Sequence, residues 1–328
     1  MKKVLLLFLM LHVYWANAQE IYQKKLILMG SDFGITVVAK NDSIAQVNIQ
    51  LAIIEIKRIE TIISSWDVNS ETSLVNKNAG IQPVKVSKEL FDLINRAKII
   101  SKLTDGAFDI SYASMDKIWK FDGSMTVFPD EETIQKSVTK VGYENIILDK
   151  STQTVFLKLK GMKIGFGAIG KGYAADKAKA LLIKNGVQSG IINASGDMNT
   201  WGTQIDGSPW QVAITNPMNK NKAFALLPLE KGAIVTSGNY EKYVLFNGKR
   251  YTHIIDPRSG IPASGIISVS VFALRAELAD ALATAIFVMG VEVGLNRINQ
   301  LKNIECIIID DSGNIHTSNH IKINQNEE

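Results

Sequence analysis

The hydrophobic positions of this chain change period along its length, and each period predicts a different element. Apolar residues at helical spacing predict helices over 43–64, 87–103 and 173–184, with Ser87 as an N-cap, and a short helix is predicted over 130–141. Alternating or continuous apolar runs predict strands over 25–40, 145–148, 155–159, 190–194, 210–214, 223–228, 233–236, 243–246 and 304–309. The polar stretch 65–76 predicts a loop. Since helices and strands are mixed without strict alternation, we predict an α+β fold.

The first eighteen residues have the pattern of a leader. Lys2 and Lys3 precede an apolar run, and Ala16-Asn17-Ala18 supplies the small residues of a cleavage site, so we expect a signal peptide cleaved after Ala18. The run is shorter than the ~20 residues of a membrane span, and an uncleaved anchor is the alternative. No cysteine follows the run, so no lipid anchor is expected. We therefore expect an exported, periplasmic protein with one domain over 19–328.

Composition narrows the class of protein only slightly. The formal net charge is +4, and two of the positive charges are Lys2 and Lys3 of the leader. No basic stripe indicates nucleic-acid binding, while peripheral contact with a membrane is compatible with the chain. The single cysteine, Cys306, lies in an apolar run and is expected to be a buried thiol, so no internal disulfide can form.

The apolar segment 278–286 contains the clearest chemistry. Asp280 and Thr284 are four residues apart, which places both on one face of a helix, one turn apart. Both offer hard oxygen atoms, which suit Mg²⁺ or Ca²⁺. The alternative is that Asp280 caps or pairs locally and that Thr284 bonds back to its own helix.

Two further segments add candidate functional residues. One of only four histidines, His253, lies in a short strand that runs into a turn at 256–260. The segment 165–173 is a glycine-dense junction of the kind that lets backbone approach a phosphate. It also matches the G-x-G-x-x-G pattern of dinucleotide-binding folds. We reject that interpretation because Asp197 lies further along than the usual acid and repeated βα units do not follow.

In order and spacing these segments resemble the ApbE family, the FAD:protein FMN transferases. The resemblance covers roughly 25–315 and is carried by Met29-Gly30 and by segments 70–76, 106–109, 167–176, 195–197, 236–240, 253–260 and 279–285. It implies an ApbE-like, T-fold-related α+β architecture with two closely packed lobes and a cleft between them. It also implies an Mg²⁺-dependent enzyme that cuts FAD at its diphosphate. The enzyme joins FMN through a phosphoester to a Ser or Thr hydroxyl of a target flavoprotein and releases AMP.

The resemblance also implies residue roles. Asp280, Thr284 and the backbone carbonyl of Ala168 would form the metal site. The FAD cleft would be lined by Met29, Trp66, Ala107, Phe108, Asp109, Lys171 and Ile254. The target would carry its acceptor hydroxyl in a D-x-x-x-[SG]-A-T-like segment.

Physical chemistry agrees with this assignment and leaves some roles open. Lys171, at a helix start, would add its charge to the helix dipole facing a phosphate, unless it is only a solvated surface lysine. His253 is the expected general base for the acceptor hydroxyl, or alternatively it only binds or orients the phosphate. Trp66 would stack on the flavin ring, with a core position as the alternative. Asp256 and Arg258 are expected to shape their turn.

The sequence departs from the family pattern at two positions and leaves two rival functions open. Gly165 stands where family members commonly carry an acid, which puts one polar FAD contact in doubt. Ser195-Gly196-Asp197 replaces the usual Gly-Gly-Asp, and serine can still form a tight turn. One rival function is a hydrolase in which water replaces the acceptor hydroxyl. The other is a flavin-binding protein without turnover.

Overall fold

A computed structural model describes residues 19–215, 223–229, 231–238 and 243–321. The expected signal peptide and part of the 236–240 segment lie outside these residues. Across the described ranges, no helix combines the length and the apolar character needed to cross a bilayer.

Seven α-helices occur in the described ranges. They are α1 (Asp42–Ile63), α2 (Glu71–Lys77), α3 (Lys88–Leu103), α4 (Glu131–Ser137), α5 (Gly170–Lys184), α6 (Ala276–Met289) and α7 (Val291–Asn299). The predicted N-cap of α3 is confirmed, because the side chain of Ser87 accepts a hydrogen bond from the Leu90 N–H.

The strands of the described ranges are likewise numbered in the order in which they occur along the chain. They are β1 (Glu20–Leu28), β2 (Ser31–Ala39), β3 (Val84–Lys85), β4 (Ile146–Asp149), β5 (Thr154–Leu157), β6 (Gly190–Ala194), β7 (Asp197–Trp201), β8 (Trp210–Thr215), β9 (Ala223–Leu229), β10 (Gly232–Gly238), β11 (Tyr243–Phe246), β12 (Lys249–Thr252), β13 (Ile266–Ala273), β14 (Glu305–Asp310) and β15 (Ile315–Thr317).

The main sheet has eight strands in the order β1-β2-β6-β7-β10-β13-β14-β15, and every neighbouring pair is antiparallel. Smaller antiparallel sheets pair β11 with β12, β8 with β9, and β3 and β4 with β5. The mixed α+β class predicted from the sequence is confirmed. A dinucleotide-binding fold with a parallel sheet is absent from the described residues, as expected.

Helix α6 lies between two hydrophobic clusters. Ala281 and Ala285 belong to the larger cluster, which includes side chains of α1, α3, α5 and β2. Leu282, Ile286 and Phe287 belong to the smaller cluster beneath β13 and β14. A helix buried on both sides must be apolar almost all round, which explains why 278–286 contains so few polar residues. Asp280 is therefore held on a fully packed element.

Some elements differ from the predictions. The segment 25–40 is not one strand, because Met29 and Gly30 adopt left-handed φ angles of 51° and 68° and turn β1 back onto β2. The polar stretch 65–76 is only partly a loop, since Ser70 caps the seven-residue helix α2. Helix α5 begins at Gly170, three residues earlier than predicted, and β12 ends at Thr252, just before His253.

Candidate functional site

The site is built where α5 and α6 cross. The carboxylate of Asp176 on α5 accepts hydrogen bonds from the Ala276 and Glu277 N–H groups at 2.9 and 3.0 Å, and so caps α6 from outside. In the opposite direction, the Gly172 N–H donates to Asp280 Oδ2 at 3.1 Å. A Cβ on Gly172 would lie 2.3 Å from the Ala276 carbonyl oxygen, so only glycine permits this approach. Asp280 therefore bonds between helices, and the alternative of purely local pairing is wrong.

Lys171 is held by an acid that sequence reasoning gave no role. Its Nζ lies 2.5 Å from Asp197 Oδ2, and Asp197 Oδ1 accepts from the Thr236 N–H at 3.2 Å. Burial disfavours the charge on Lys171, but the carboxylates of Asp280 and Asp197 outweigh burial and hold the pKa of Lys171 above its usual value. Lys171 is thus a charged, partly buried side chain in an ion pair, and the alternative of a solvated surface lysine is wrong.

The balance of charge at this site favours a bound cation. Burial raises the pKa of both Asp197 and Asp280, and Lys171 opposes that rise. One ammonium thus faces two carboxylates, and the negative charge of Asp280, only 4% exposed, is left without a full counter-charge. Asp280, the Thr284 hydroxyl and the Ala168 carbonyl line one cavity and offer hard oxygen atoms, so these residues fit Mg²⁺.

The predicted metal site differs from the common kind that is built from several acidic or histidine side chains. Among the residues that the structure describes, no group of three or more His, Cys, Asp or Glu side chains is arranged to hold a metal. The predicted set has a single carboxylate. Thr284 Oγ1 lies 3.4 Å from Ser237 Oγ on β10, so its hydroxyl is directed toward the sheet and the cavity.

The cavity has a volume of about 640 Å³, within the usual range for small-molecule sites. The structure brings most of the predicted site residues to its wall, namely Ala107, Phe108, Asp109, Ala168, Lys171, His253, Ile254, Asp280 and Thr284. These residues come from the turn after α3, from the start of α5, from the segment after β12 and from α6. The metal, FAD and catalytic roles given to them stay predictions.

A local turn holds His253 at the rim. The Ile254 N–H donates to Thr252 Oγ1 at 3.0 Å, and Thr252 Oγ1 in turn donates to the Ile254 carbonyl at 3.1 Å. Thr252 is buried, while His253 is exposed. Asp256 accepts from the Arg258 backbone N–H and pairs with its guanidinium, which confirms that these two residues shape the following turn.

Asp109 has a structural task in addition to its predicted ligand role. Its carboxylate accepts from the Ser111 N–H and the Tyr143 N–H, both at 2.7 Å, and so caps the 3-10 turn Ile110–Ser114. Burial raises the pKa of Asp109, and these hydrogen bonds oppose the rise. The carboxylate therefore joins the start of this 3-10 turn to the backbone at Tyr143.

A second cavity of about 570 Å³ adjoins the first and shares Tyr112, Met115, Gly167 and Ile255 with it. Trp66 lines this second cavity and is 84% exposed, so the alternative of a core tryptophan is wrong. The Lys117 ammonium lies 5.1 Å from the centre of the Trp66 ring. Stacking of Trp66 on a flavin ring stays a prediction.

The structure does not place Met29 among the residues that line either cavity. Its side chain packs against the larger hydrophobic cluster, with Cε 3.7 Å from where a Cβ on Gly170 would lie. Its neighbour Ser31 lines the main cavity instead.

Two residues of the site were missed by sequence reasoning, Asp197 as a partner and Tyr112 altogether. Asp197 follows a turn in which Ser195 and Gly196 have left-handed φ angles of 60° and 96°, so an acid after a forced turn was an available signal. Tyr112 had no comparable signal, because its position beside Gly167 is set by the tertiary fold.

Comparison with known proteins agrees with this geometry. The model of the ApbE family matches residues 29–308. An FAD:protein FMN transferase of Klebsiella pneumoniae is 32% identical over 90% of this chain and 91% of its own length. One from Treponema pallidum is 31% identical over 76% of this chain and 73% of its own. A crystal structure of the ApbE protein from Thermotoga maritima superposes with a TM-score of 0.82 at 30% identity, covering 91% of this chain and 97% of the other. The apo flavinyl transferase ApbE of Pseudomonas stutzeri gives 0.81 at 25% identity, over 92% and 95%.

Proposed function

This chain belongs to the ApbE family, and on that premise we propose that it is an FAD:protein FMN transferase. The finer proposal is a periplasmic, Mg²⁺-dependent transfer of FMN from FAD to a Ser or Thr hydroxyl of a target flavoprotein, with release of AMP. The observation that carries it is the cavity in which the oxygen donors Asp280 and Thr284 lie with the Lys171–Asp197 ion pair.

The residues have separable tasks in this reaction. Asp280, Thr284 and the Ala168 carbonyl would hold Mg²⁺, which neutralises charge on the diphosphate. Lys171 Nζ offers a fixed positive charge to a phosphate oxygen, and Asp197 holds it in place. His253 lines the cavity and is exposed, so an acceptor hydroxyl could reach it from solvent, and as a base it would remove the hydroxyl proton.

The proposal is supported from three sides. The leader pattern of 1–18 supports export, the oxygen donors and the charge balance support Mg²⁺, and the two adjoining cavities support an elongated ligand such as a dinucleotide. The acceptor segment, a D-x-x-x-[SG]-A-T-like sequence, rests on the family resemblance alone.

The deciding experiment incubates the protein without its leader with FAD, Mg²⁺ and an acceptor protein that carries such a segment. Intact mass spectrometry follows the acceptor, and chromatography follows AMP. We expect a mass gain of one FMN together with AMP release. Release of free FMN and AMP without a labelled acceptor would instead establish a hydrolase, and bound, uncut FAD would establish a binding protein.

The variant Asp280→Asn tests the metal assignment in the same assay. It removes the carboxylate charge but keeps an oxygen that can accept a hydrogen bond from the Gly172 N–H. It should lower FMN transfer by at least about a hundredfold while the protein still melts cooperatively. Glu292→Gln, an exposed acid on α7, is the matched control and should transfer at the wild-type rate. Wild-type Mg²⁺-dependent activity in Asp280→Asn would contradict the metal assignment.

A further inference from the structure

Tyr112 lies at the neck between the two cavities. It belongs to the 3-10 turn Ile110–Ser114, which Asp109 caps, and its ring is one of the shared walls. The residue is 39% exposed, so the ring is accessible from the cavities. A ligand that extends from Asp280 in the main cavity to Trp66 in the second must therefore pass Tyr112.

The glycine segment makes room for the tyrosine hydroxyl. A Cβ on Gly167 would lie 2.5 Å from Tyr112 Oη, whereas a Cβ on Gly165 would meet Ala113 Cβ first, at 3.0 Å. Real Cβ atoms do not approach an oxygen as closely as 2.5 Å, so a glycine is needed at 167 for the phenol to occupy this position. Gly167 does not have a left-handed φ, so the requirement is one of space and not of backbone conformation.

The hydroxyl is a hydrogen-bond donor beside the expected metal site. Burial raises the pKa of Tyr112, and the charge of Asp280 adds to the rise. The phenol therefore keeps its proton at neutral pH. A phenol O–H donates one hydrogen bond, so this group can bind an anion that enters the cavity.

We propose that the Tyr112 hydroxyl binds the diphosphate of FAD where the dinucleotide passes from one cavity to the other. The inference rests on the proposed function. In FAD the diphosphate lies between the two ring systems, so a ligand with one ring system in each cavity presents its phosphate oxygens at the neck. Gly167 then has a specific task, which is to hold the phenol against the backbone next to Ala168.

The test compares FAD affinity in the wild type and in Tyr112→Phe, which removes only the hydroxyl. FAD is titrated with Mg²⁺ and no acceptor, and flavin fluorescence gives Kd. Loss of a hydrogen bond to a charged group corresponds to about a tenfold to hundredfold weaker Kd. Riboflavin, which has no phosphate, should bind both proteins equally. An unchanged FAD Kd, or an equal loss for FAD and riboflavin, would overturn the proposal.

A double-mutant cycle adds a readout that a merely structural role would not produce. In the wild type, Gly167→Ala places a methyl group against the hydroxyl and should weaken FAD binding about as much as Tyr112→Phe. In the Tyr112→Phe background the nearest ring carbon is 3.7 Å away, an ordinary contact, so the same alanine should cost nothing further. Losses that simply add would contradict the geometry.

The two proposals fail in different ways. If the wild type labels no acceptor, the proposed transferase function fails, and the FAD titrations still decide the role of Tyr112. If the wild type transfers FMN and Tyr112→Phe binds FAD with the wild-type Kd, only the inference about Tyr112 fails. A wild type that binds no FAD at all would overturn both.

Discussion

The Gly172 N–H donates a hydrogen bond of 3.1 Å to Asp280 Oδ2, and this bond joins the first turn of α5 to the second turn of α6. The same glycine lets the Ala276 carbonyl approach to where a side chain would begin. The position of the carboxylate is therefore set by the spacing of two helices and not by its own rotamer alone.

Gly172→Ala should separate these helices. The added methyl group would meet the Ala276 carbonyl at 2.3 Å, and a backbone atom cannot rotate away, so we expect the free energy of unfolding to fall by about 1–3 kcal/mol. A displaced Asp280 should lower FMN transfer by about a hundredfold. Urea unfolding and the mass-gain assay measure the two effects. Gly34→Ala, whose nearest neighbour lies at 3.5 Å, is the control, and wild-type behaviour of Gly172→Ala would contradict this account.

Removing Lys171 should destabilise the fold through the acids it leaves behind. Lys171→Met leaves Asp197, 4% exposed, without its cation, and should lower the free energy of unfolding by about 3–5 kcal/mol. The double variant Lys171→Met/Asp197→Asn should recover most of that lost stability. Neither the single nor the double variant should transfer FMN. Urea unfolding of the single and double variants tests the pair. Equal destabilisation in both would show that the ion pair is not the cause.

His253→Ala should separate catalysis from binding. If His253 is the base, kcat for FMN transfer should fall by about 10²–10⁴-fold while the Kd for FAD stays nearly constant. A large rise in Kd would make it a binding residue instead. His320→Ala, whose side chain is 81% exposed and pairs with Glu305 at the start of β14, is the matched histidine control and should leave both constants unchanged.

Lys179 should make stability depend on pH. Burial lowers the pKa of Lys179 from 10.5 to about 8 in the folded chain. Between these values the unfolded chain binds more protons, so the free energy of unfolding should rise with pH from about 8 to 10.5, by about 3 kcal/mol in total. Below about pH 8 both states are protonated, and this contribution is a constant cost.

The measurement is urea unfolding across that pH window. Lys179→Met should flatten the rise relative to the wild type. Lys184→Met removes an exposed lysine of the same helix and should retain the wild-type profile. A Lys179→Met profile parallel to the wild type would rule out Lys179 as the source.

Local patterns predicted the elements that carry the chemistry, because helical spacing and capping are local properties. Two examples are the placement of Asp280 and Thr284 one turn apart on α6 and the N-cap of α3 at Ser87. Helix α2 was missed because seven residues are too few to establish a period. The strand β13 was not predicted at all, although Ser268 and Ser270 alternate with buried valines along it.

Contacts between distant segments could not be predicted from this one sequence. Lys171 and Asp197 are 26 residues apart, and nothing near either residue indicates the other. Tyr112 and Gly167 are further apart still. The glycines of the segment 165–173 were interpreted as space for a phosphate, whereas the structure places the Ala113 methyl group against Gly165 and the Tyr112 hydroxyl against Gly167. A glycine thus reveals a close approach but not its partner.

The position of α6 between the two hydrophobic clusters also bears on how the protein denatures. Loss of this helix would expose both clusters to water at once, so we expect neither cluster to melt while the other survives. The helix with the expected metal ligands is therefore the shared support of one cooperative unit, and its amide hydrogens should exchange with solvent only when the whole molecule unfolds.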